Sequence, residues 1–300
     1  MNRRKFVKST LAASVAASFP VISACGEKAR VATEAEASIR AVSLTGAEVE
    51  LTKSMIREFG DAMAGPVMLS EHPGYESARK IWNGMHDKHP ALIARCQNPQ
   101  DIQHTVDFAR AHNLRLAVRG GGHSWPGKST CEGGVMLDLS QMTAVEVDTG
   151  NQTAWCDGGA LLGNLDDATL AQGLVTTAGV VSHTGVGGFT LGGGFGRLNR
   201  KYGLTIDNLL GAEIVTADGQ VREVNAENEP NLFWAMRGGG GNFGAVSRFR
   251  FQLHRFDRNV LSGLIVWPID QARDVLEFLS LIHISEPTRQ PATSRMPSSA

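Results

Sequence analysis

Between residues 90 and 256 the chain alternates short apolar runs with longer stretches of helical spacing. Residues 91–95, 115–118 and 135–139 are compact apolar runs and read as strands. Between the first two, Pro99-Gln100-Asp101 opens a helix that sets Ile102, Val106 and Ala109 on one face. Residues 144–147 and 153–156 read as a hairpin around Thr149-Gly150-Asn151. Residues 161–171 have helical spacing and stop at Gly173. A further hairpin runs through 211–217, the turn Asp218-Gly219 and 221–224, and a strand is expected over 245–253. Upstream, residues 49–63 carry helical spacing, with Leu51, Ile56 and Phe59 as the apolar positions, until Gly65-Pro66 breaks it. Residues 27–50, rich in Ala, Glu and Ser, read as a linker.

Glycine interrupts this pattern in clusters. The first is Arg119-Gly120-Gly121-Gly122-His123-Ser124-Trp125, directly after an apolar run. Three glycines in a row remove every Cβ from a turn, so backbone N–H groups can crowd an anion. Arg119 adds a fork of donors suited to a phosphate, and His123 stands at the rim. Taken alone, the stretch reads equally well as a Gly-rich surface turn with a satisfied histidine. Two more clusters shift the balance: residues 179–196, with Gly185-Val186-Gly187-Gly188 and Leu191-Gly192-Gly193-Gly194, and residues 234–244, with Gly238-Gly239-Gly240-Gly241. The second offers no side-chain core and suits backbone that passes close to a flat or elongated ligand. Each cluster lies beside a strand, which points to one large phosphate-bearing cofactor held mainly by backbone. Neither a single G-x-G-x-x-G within a βαβ unit nor a P-loop lysine is present.

Composition narrows the classes. Of 300 residues, 34 are glycine and 42% are hydrophobic, so a core is affordable and the glycines are the outlier. Net charge is −1, from 29 basic and 30 acidic residues, with no basic stripe, which argues against a nucleic-acid partner. Cys25, Cys96, Cys131 and Cys156 lack metal-ligand spacing and are too few for a disulfide scaffold. His72, His86, His89, His104 and His112 fit no metal site and read as solvated or locally bonded. At the N-terminus, Arg3-Arg4 with Phe6 and Lys8 precedes an Ala/Ser-rich run and resembles a twin-arginine export signal; an ordinary basic N-terminus is the alternative. Ile22-Ser23-Ala24-Cys25 resembles a lipobox, which would make Cys25 a lipid anchor; ordinary cleavage nearby is the alternative.

Together, residues 119–125, 133–140, 178–196, 204–208 and 233–244 resemble, in order, the FAD-binding domain of the vanillyl-alcohol oxidase / p-cresol methylhydroxylase (PCMH) flavoproteins, and within them the berberine-bridge-enzyme-like oxidases. The likeness runs from about residue 90 to 256. It implies an α+β fold with two α/β subdomains of a PCMH-type domain and FAD stretched between them. It also implies that His123 bonds covalently to the 8α carbon of FAD. The second link of many members, through cysteine, falls on Val181, so a single link is expected; Cys131 and Cys156 lie elsewhere. The contacts implied are Arg119, Gly120, Gly121, Gly122 and Ser124 at the pyrophosphate. Gly179, Ser182, His183, Thr184, Gly185, Gly187, Gly188 and Leu191 follow along the ribityl chain and ring, and Asp207 and Val215 elsewhere on FAD.

Family chemistry is hydride transfer from a substrate C–H to the flavin, with oxygen or another acceptor taking the electrons. The substrate implied is a small molecule: an alcohol, a sugar or a secondary metabolite. The expected organisation is an export signal over 1–24, a linker and N-terminal helical segment over 25–85, the FAD-binding domain over 86–258 and the start of a substrate domain over 259–280. Residues 281–300, beginning Leu281-Ile282-His283-Ile284-Ser285-Glu286-Pro287, read as a disordered or artefactual tail that resembles translated sequencing-adapter sequence. On this reading most of the substrate domain is missing, the catalytic base has no nameable counterpart, and the chain alone is inactive. A flavin-binding module without its own turnover, acting by binding or electron relay, is the alternative. The expected location is the periplasm or a lipid-anchored membrane surface.

Overall fold

The structure is a computed structural model that describes residues 38–256 and 263–282. These fall into two units, divided between Phe256 and Asp257. The first holds two subdomains. Strands β1 (Ile39–Val42) and β2 (Glu48–Leu51) form a hairpin, followed by α1 (Lys53–Ala62), β3 (Val67–Met68), α2 (Tyr75–Arg79), β4 (Leu92–Arg95), α3 (Pro99–Ala111), β5 (Leu116–Arg119) and β6 (Val135–Asp138). The sheet order is β3-β4-β6-β5; β4 and β5 both run parallel to β6, and β3 is antiparallel to β4. Helix α3 is the crossover that parallel strands require. It starts where the sequence dictates: Pro99 occupies the first turn and the Asn98 side chain accepts the Asp101 N–H at 2.8 Å. Its face of Ile102, Val106 and Ala109 is buried with Leu92, Ala94, Val135 and Leu137. Buried Asp101 accepts N–H groups from Ala64, Gly65 and Gln97 and so ties the preceding segment to α3.

The second subdomain contains β7 (Val145–Asp148), β8 (Thr153–Asp157), α4 (Leu162–Leu170), β9 (Leu174–Val175), α5 (Val186–Leu191), α6 (Asn199–Tyr202), β10 (Leu209–Val215), β11 (Val221–Asn225), α7 (Pro230–Gly239), β12 (Ala245–Gln252) and β13 (His254–Arg255). Five strands make an antiparallel sheet in the order β11-β10-β12-β8-β7, and β13 pairs with β9. Phe249 and Phe251 fill its core with Leu162, Leu165, Val186 and Met236. The mixed α+β class and the paired subdomains match the expectation.

Three readings are corrected. Residues 38–51, within the expected linker, are the β1–β2 hairpin, and Ala41 and Leu51 are buried in the same core as Leu92. Leu51 therefore ends a strand, and the helix begins at Lys53, where Thr52 caps it. The short polar sequence hid a hairpin because its stability comes from packing, not from a long alternation. The second glycine cluster does build core: Val186–Leu191 is helix α5, with Val186 and Leu191 buried.

In the second unit, residues 263–268 form no paired strand; Ile269–Gln271 is a 3₁₀ turn and α8 spans Ala272–Ile282. Leu281 and Ile282, assigned to the tail by sequence, belong to that helix. The export signal, Cys25 and residues 283–300 lie outside the described residues. Among the described residues no helix is long and apolar enough to cross a membrane.

Candidate cofactor cleft

A cleft of about 490 Å³ opens at the carboxyl ends of β5 and β6, within the size range of small-molecule sites. Parallel strands place ligands at that end, where the following loops diverge. Its floor is Arg119, Gly120, Gly121, Gly122 and His123; across from them stand Ser140 and Thr143 after β6, Gly159 after β8, Leu161 and Asn164 at the start of α4, with Trp82 and His183 at the mouth. Two glycine-rich segments cross here. A Cβ on Gly121 would lie 2.4 Å from Gly185 N, and one on Gly185 would lie 2.3 Å from Gly121 N. The crossing exists because both positions lack a side chain.

Among the described residues, the N–H groups of Gly120, Gly121, Gly122 and His123 donate to no protein acceptor. Four consecutive unspent donors at a cleft floor form an anion nest. The start of α4 is not a competing one: Leu162 N–H donates to Thr184 O at 2.8 Å and Gly163 N–H to Ser182 O at 2.8 Å. Those bonds strap residues 182–184 across the helix terminus. The floor thus fits a pyrophosphate-bearing cofactor of the FAD kind.

At the mouth, His123 Nε2 and His183 Nδ1 are 2.7 Å apart. Trp82 stacks on His123 with centroids 5.1 Å apart and planes 8° apart, and meets His183 at 4.7 Å. Trp82 is held in turn by its N–H to Gly122 O at 2.9 Å. Burial first, and the adjacent His183 second, push the His123 imidazole below its ordinary value of 6.5. The sign follows: the neutral ring is favoured in the folded state, so this contribution is complete above pH 6.5 and is lost as pH falls through the lowered folded value. An NMR titration of His123 should show a midpoint below 6.5; a midpoint at or above it would contradict the half-buried, paired geometry.

Behind the floor, register places Asp138 between Arg95 and Arg119 at the ends of β4, β6 and β5. Asp138 is fully buried and accepts from Arg95 Nε and Arg119 Nη1, each at 3.2 Å, and from Ser140 Oγ at 2.9 Å. The guanidinium that the sequence reads as a phosphate fork therefore has a prior partner; its Nε is buried without one. Two arginines against one carboxylate leave a positive excess under the nest. Replacing Asp138 with Ala strands both cations, and about 3 kcal/mol of stability should go. Urea melts would show this as a lower midpoint, whereas an unchanged midpoint would mean that the clamp carries no load.

Of the residues expected from sequence, Arg119, Gly120, Gly121, Gly122, His123 and His183 line the cleft. The others lie behind it or beyond it. Ser124 Oγ accepts Lys128 N–H, while Ser182, Thr184 and Gly185 form the strap and the crossing. Gly179 packs against Phe189 and Leu162; Gly187, Gly188 and Leu191 are in α5. Asp207 accepts Leu204 N–H at 2.8 Å and pairs with Arg237 at 3.9 Å. Val215 is buried at the end of β10 between β11 and β12. Sequence reading missed Trp82, Ser140, Thr143, Gly159, Leu161 and Asn164 as site residues; Gly158-Gly159 after a strand was the signal available. Val181 is exposed, and Cys131 and Cys156 are buried thiols that burial pushes up to about 11 and about 12.

Residues 90–225 match the family described as FAD binding domain. The chain is 39% identical over 206 residues to (R)-6-hydroxynicotine oxidase of Paenarthrobacter nicotinovorans, covering 69% of this chain and 45% of that protein. The crystal structure of 6-hydroxy-D-nicotine oxidase from Arthrobacter nicotinovorans superposes with a TM-score of 0.71 at 37% identity, covering 73% of this chain and 49% of that one. Glucooligosaccharide oxidase from Acremonium strictum, whose flavin is 6-S-cysteinyl, 8α-N1-histidyl FAD, superposes with a TM-score of 0.63 at 33% identity, over 67% of this chain and 42% of that one. The chain spans about half the length of the curated relatives it matches.

Proposed function

This chain carries a PCMH-type FAD-binding domain with homologues in the berberine-bridge-enzyme-like / vanillyl-alcohol oxidase family, and from that premise we propose that it belongs to an exported flavoprotein oxidase joined to FAD by one bond, at His123. The observation that carries this reading is the cleft itself, with unspent N–H groups at Gly120, Gly121, Gly122 and His123 beneath a stacked imidazole. The nest would hold the pyrophosphate, with the excess charge of Arg95 and Arg119 behind it. The 182–184 strap and Trp82 would border the flavin end. FAD, when bound, supplies hydride acceptance from a substrate C–H and electron delivery to oxygen.

Val181 stands where a second, cysteinyl link would form, so His123 is the single attachment point. The substrate class is a small alcohol, sugar or secondary metabolite, in keeping with oxidases among the relatives. The group that takes the substrate proton is not assigned to any described residue. Anaerobic stopped-flow reduction of the bound flavin by a panel of such compounds tests the reading. Rapid bleaching by one class supports it, and a flavin that none reduces favours a binding or electron-relay module instead.

Export follows the twin-arginine route, with Cys25 as a lipid anchor. Arg3→Lys with Arg4→Lys should leave the protein in the cytoplasm, and Cys25→Ser should abolish acyl labelling. Normal export of the double variant, or an unlabelled wild type, would remove the respective step.

A further inference from the structure

An imidazole bonds to carbon through the nitrogen that carries no proton, and a neutral ring has one such nitrogen. The 2.7 Å contact between His123 Nε2 and His183 Nδ1 needs one N–H and one lone pair. Two arrangements satisfy it. In one, His183 Nδ1–H donates to His123 Nε2; the His123 proton then sits on Nδ1, and its only lone pair is already engaged. In the other, His123 Nε2–H donates to His183 Nδ1, and His123 Nδ1 keeps a free lone pair. Only the second leaves His123 a lone pair that can bond without first breaking this contact. Trp82 lies flat on the His123 ring, with planes 8° apart, and limits its rotation.

We propose that His183 is the positioning residue for covalent flavin attachment: it holds His123 as the Nε2–H tautomer, leaves Nδ1 as the nucleophile, and takes up the Nε2 proton as the bond forms. The inference rests on the histidyl-FAD reading above and names the residue that makes His123 reactive. The balance is complete. A bond forms between His123 Nδ1 and the 8α carbon, and one C–H bond of that methyl group breaks. Its electron pair stays in the isoalloxazine, which ends reduced. The methyl proton leaves to solvent, and the Nε2 proton passes to His183 Nδ1, leaving the substituted imidazole neutral. Dioxygen then takes two electrons from the reduced ring, and the two released protons, one from solvent and one from His183, complete hydrogen peroxide.

The test adds FAD to the full-length apoprotein and follows flavin that survives acid precipitation, alongside reversible FAD binding. With FAD saturating, His183→Ala should attach it about 10²–10⁴-fold more slowly than wild type, the range of proton-transfer assistance. His183→Asn, whose Oδ1 can accept the Nε2–H without taking its proton, should recover part of that rate. Nitrogen NMR of the imidazoles before FAD is added should show His123 as the Nε2–H tautomer in wild type and as a mixture in His183→Ala. Wild-type attachment rates in His183→Ala, or an Nδ1–H tautomer in wild type, would overturn the proposal. So would loss of reversible FAD binding in both variants, which would make the role structural. A wild type that binds FAD but never links it defeats the histidyl-link reading itself, an outcome distinct from equal rates in wild type and variant.

Discussion

Gly121→Val is expected to abolish the cleft and most of the folded protein with it. The new Cβ would sit 2.4 Å from Gly185 N and 2.5 Å from Gly185 Cα, and both obstacles are backbone. A flexible side chain could turn away, but a main chain pinned on both sides cannot. Gly185 is held by its place at the start of α5, and the next residue's N–H donates to Ala160 O at 2.8 Å. Gly121 is held by β5, which ends two residues earlier. Forcing the segments apart should cost about 3 kcal/mol in overpacking, and the valine branches add to the clash. Thermal melts should show a large fall, with FAD retention lost. Gly185→Ala should behave alike, because its Cβ would meet Gly121 N at 2.3 Å. Gly241→Ala is the control, since nothing lies within 4 Å of that Cβ and φ is −81°. Equal stability of the Gly121 and Gly241 variants would show that the two glycine segments do not cross as described.

His123→Ala is expected to remove all covalent flavin while leaving a folded protein. The imidazole is half-buried and its partners, Trp82 and His183, are exposed, so the loss opens little core. The floor donors at Gly120, Gly121 and Gly122 remain, and FAD should still bind reversibly. Acid-precipitated variant protein should be colourless, with the flavin in the supernatant. Reduction potential should fall as well, because an alkylated imidazole withdraws electron density from the ring. Flavin that stays with the variant polypeptide would place the link elsewhere, and retention of flavin in a Val181 variant alone would not rescue the assignment.

Much of the first unit was legible because its elements obey local rules. Helix α3 announces itself through Asn98-Pro99 and the spacing of Ile102, Val106 and Ala109, and the hairpins through Thr149-Gly150-Asn151 and Asp218-Gly219. The β1–β2 hairpin escaped notice because Ile39–Val42 and Glu48–Leu51 are short and mixed in polarity, and it is burial of Ala41 and Leu51 that fixes them. In the cleft, the floor was readable from contiguous glycines and His123, since contiguity in sequence is contiguity in a loop. Trp82 and Thr143 arrive from separate connections and Asn164 from the first turn of α4, and no local pattern brings them together. Arg119 shows a different limit. Its residue type suits a phosphate, but only the sheet register reveals that Asp138 lies beside it. The reason first read for Gly121, approach to a phosphate, is joined by a harder one, approach to Gly185.

On the proposed assignment one histidine in a glycine nest carries the flavin, and one peptide reports it. Trypsin cuts after Arg119 and after Lys128, so a single peptide, residues 120–128, holds Gly120, Gly121, Gly122 and His123. Mass spectrometry of the acid-denatured, digested protein should find that peptide heavier by one flavin, with fragment ions placing the addition on His123. An unmodified 120–128 peptide, with the flavin free or attached to another peptide, would contradict the account.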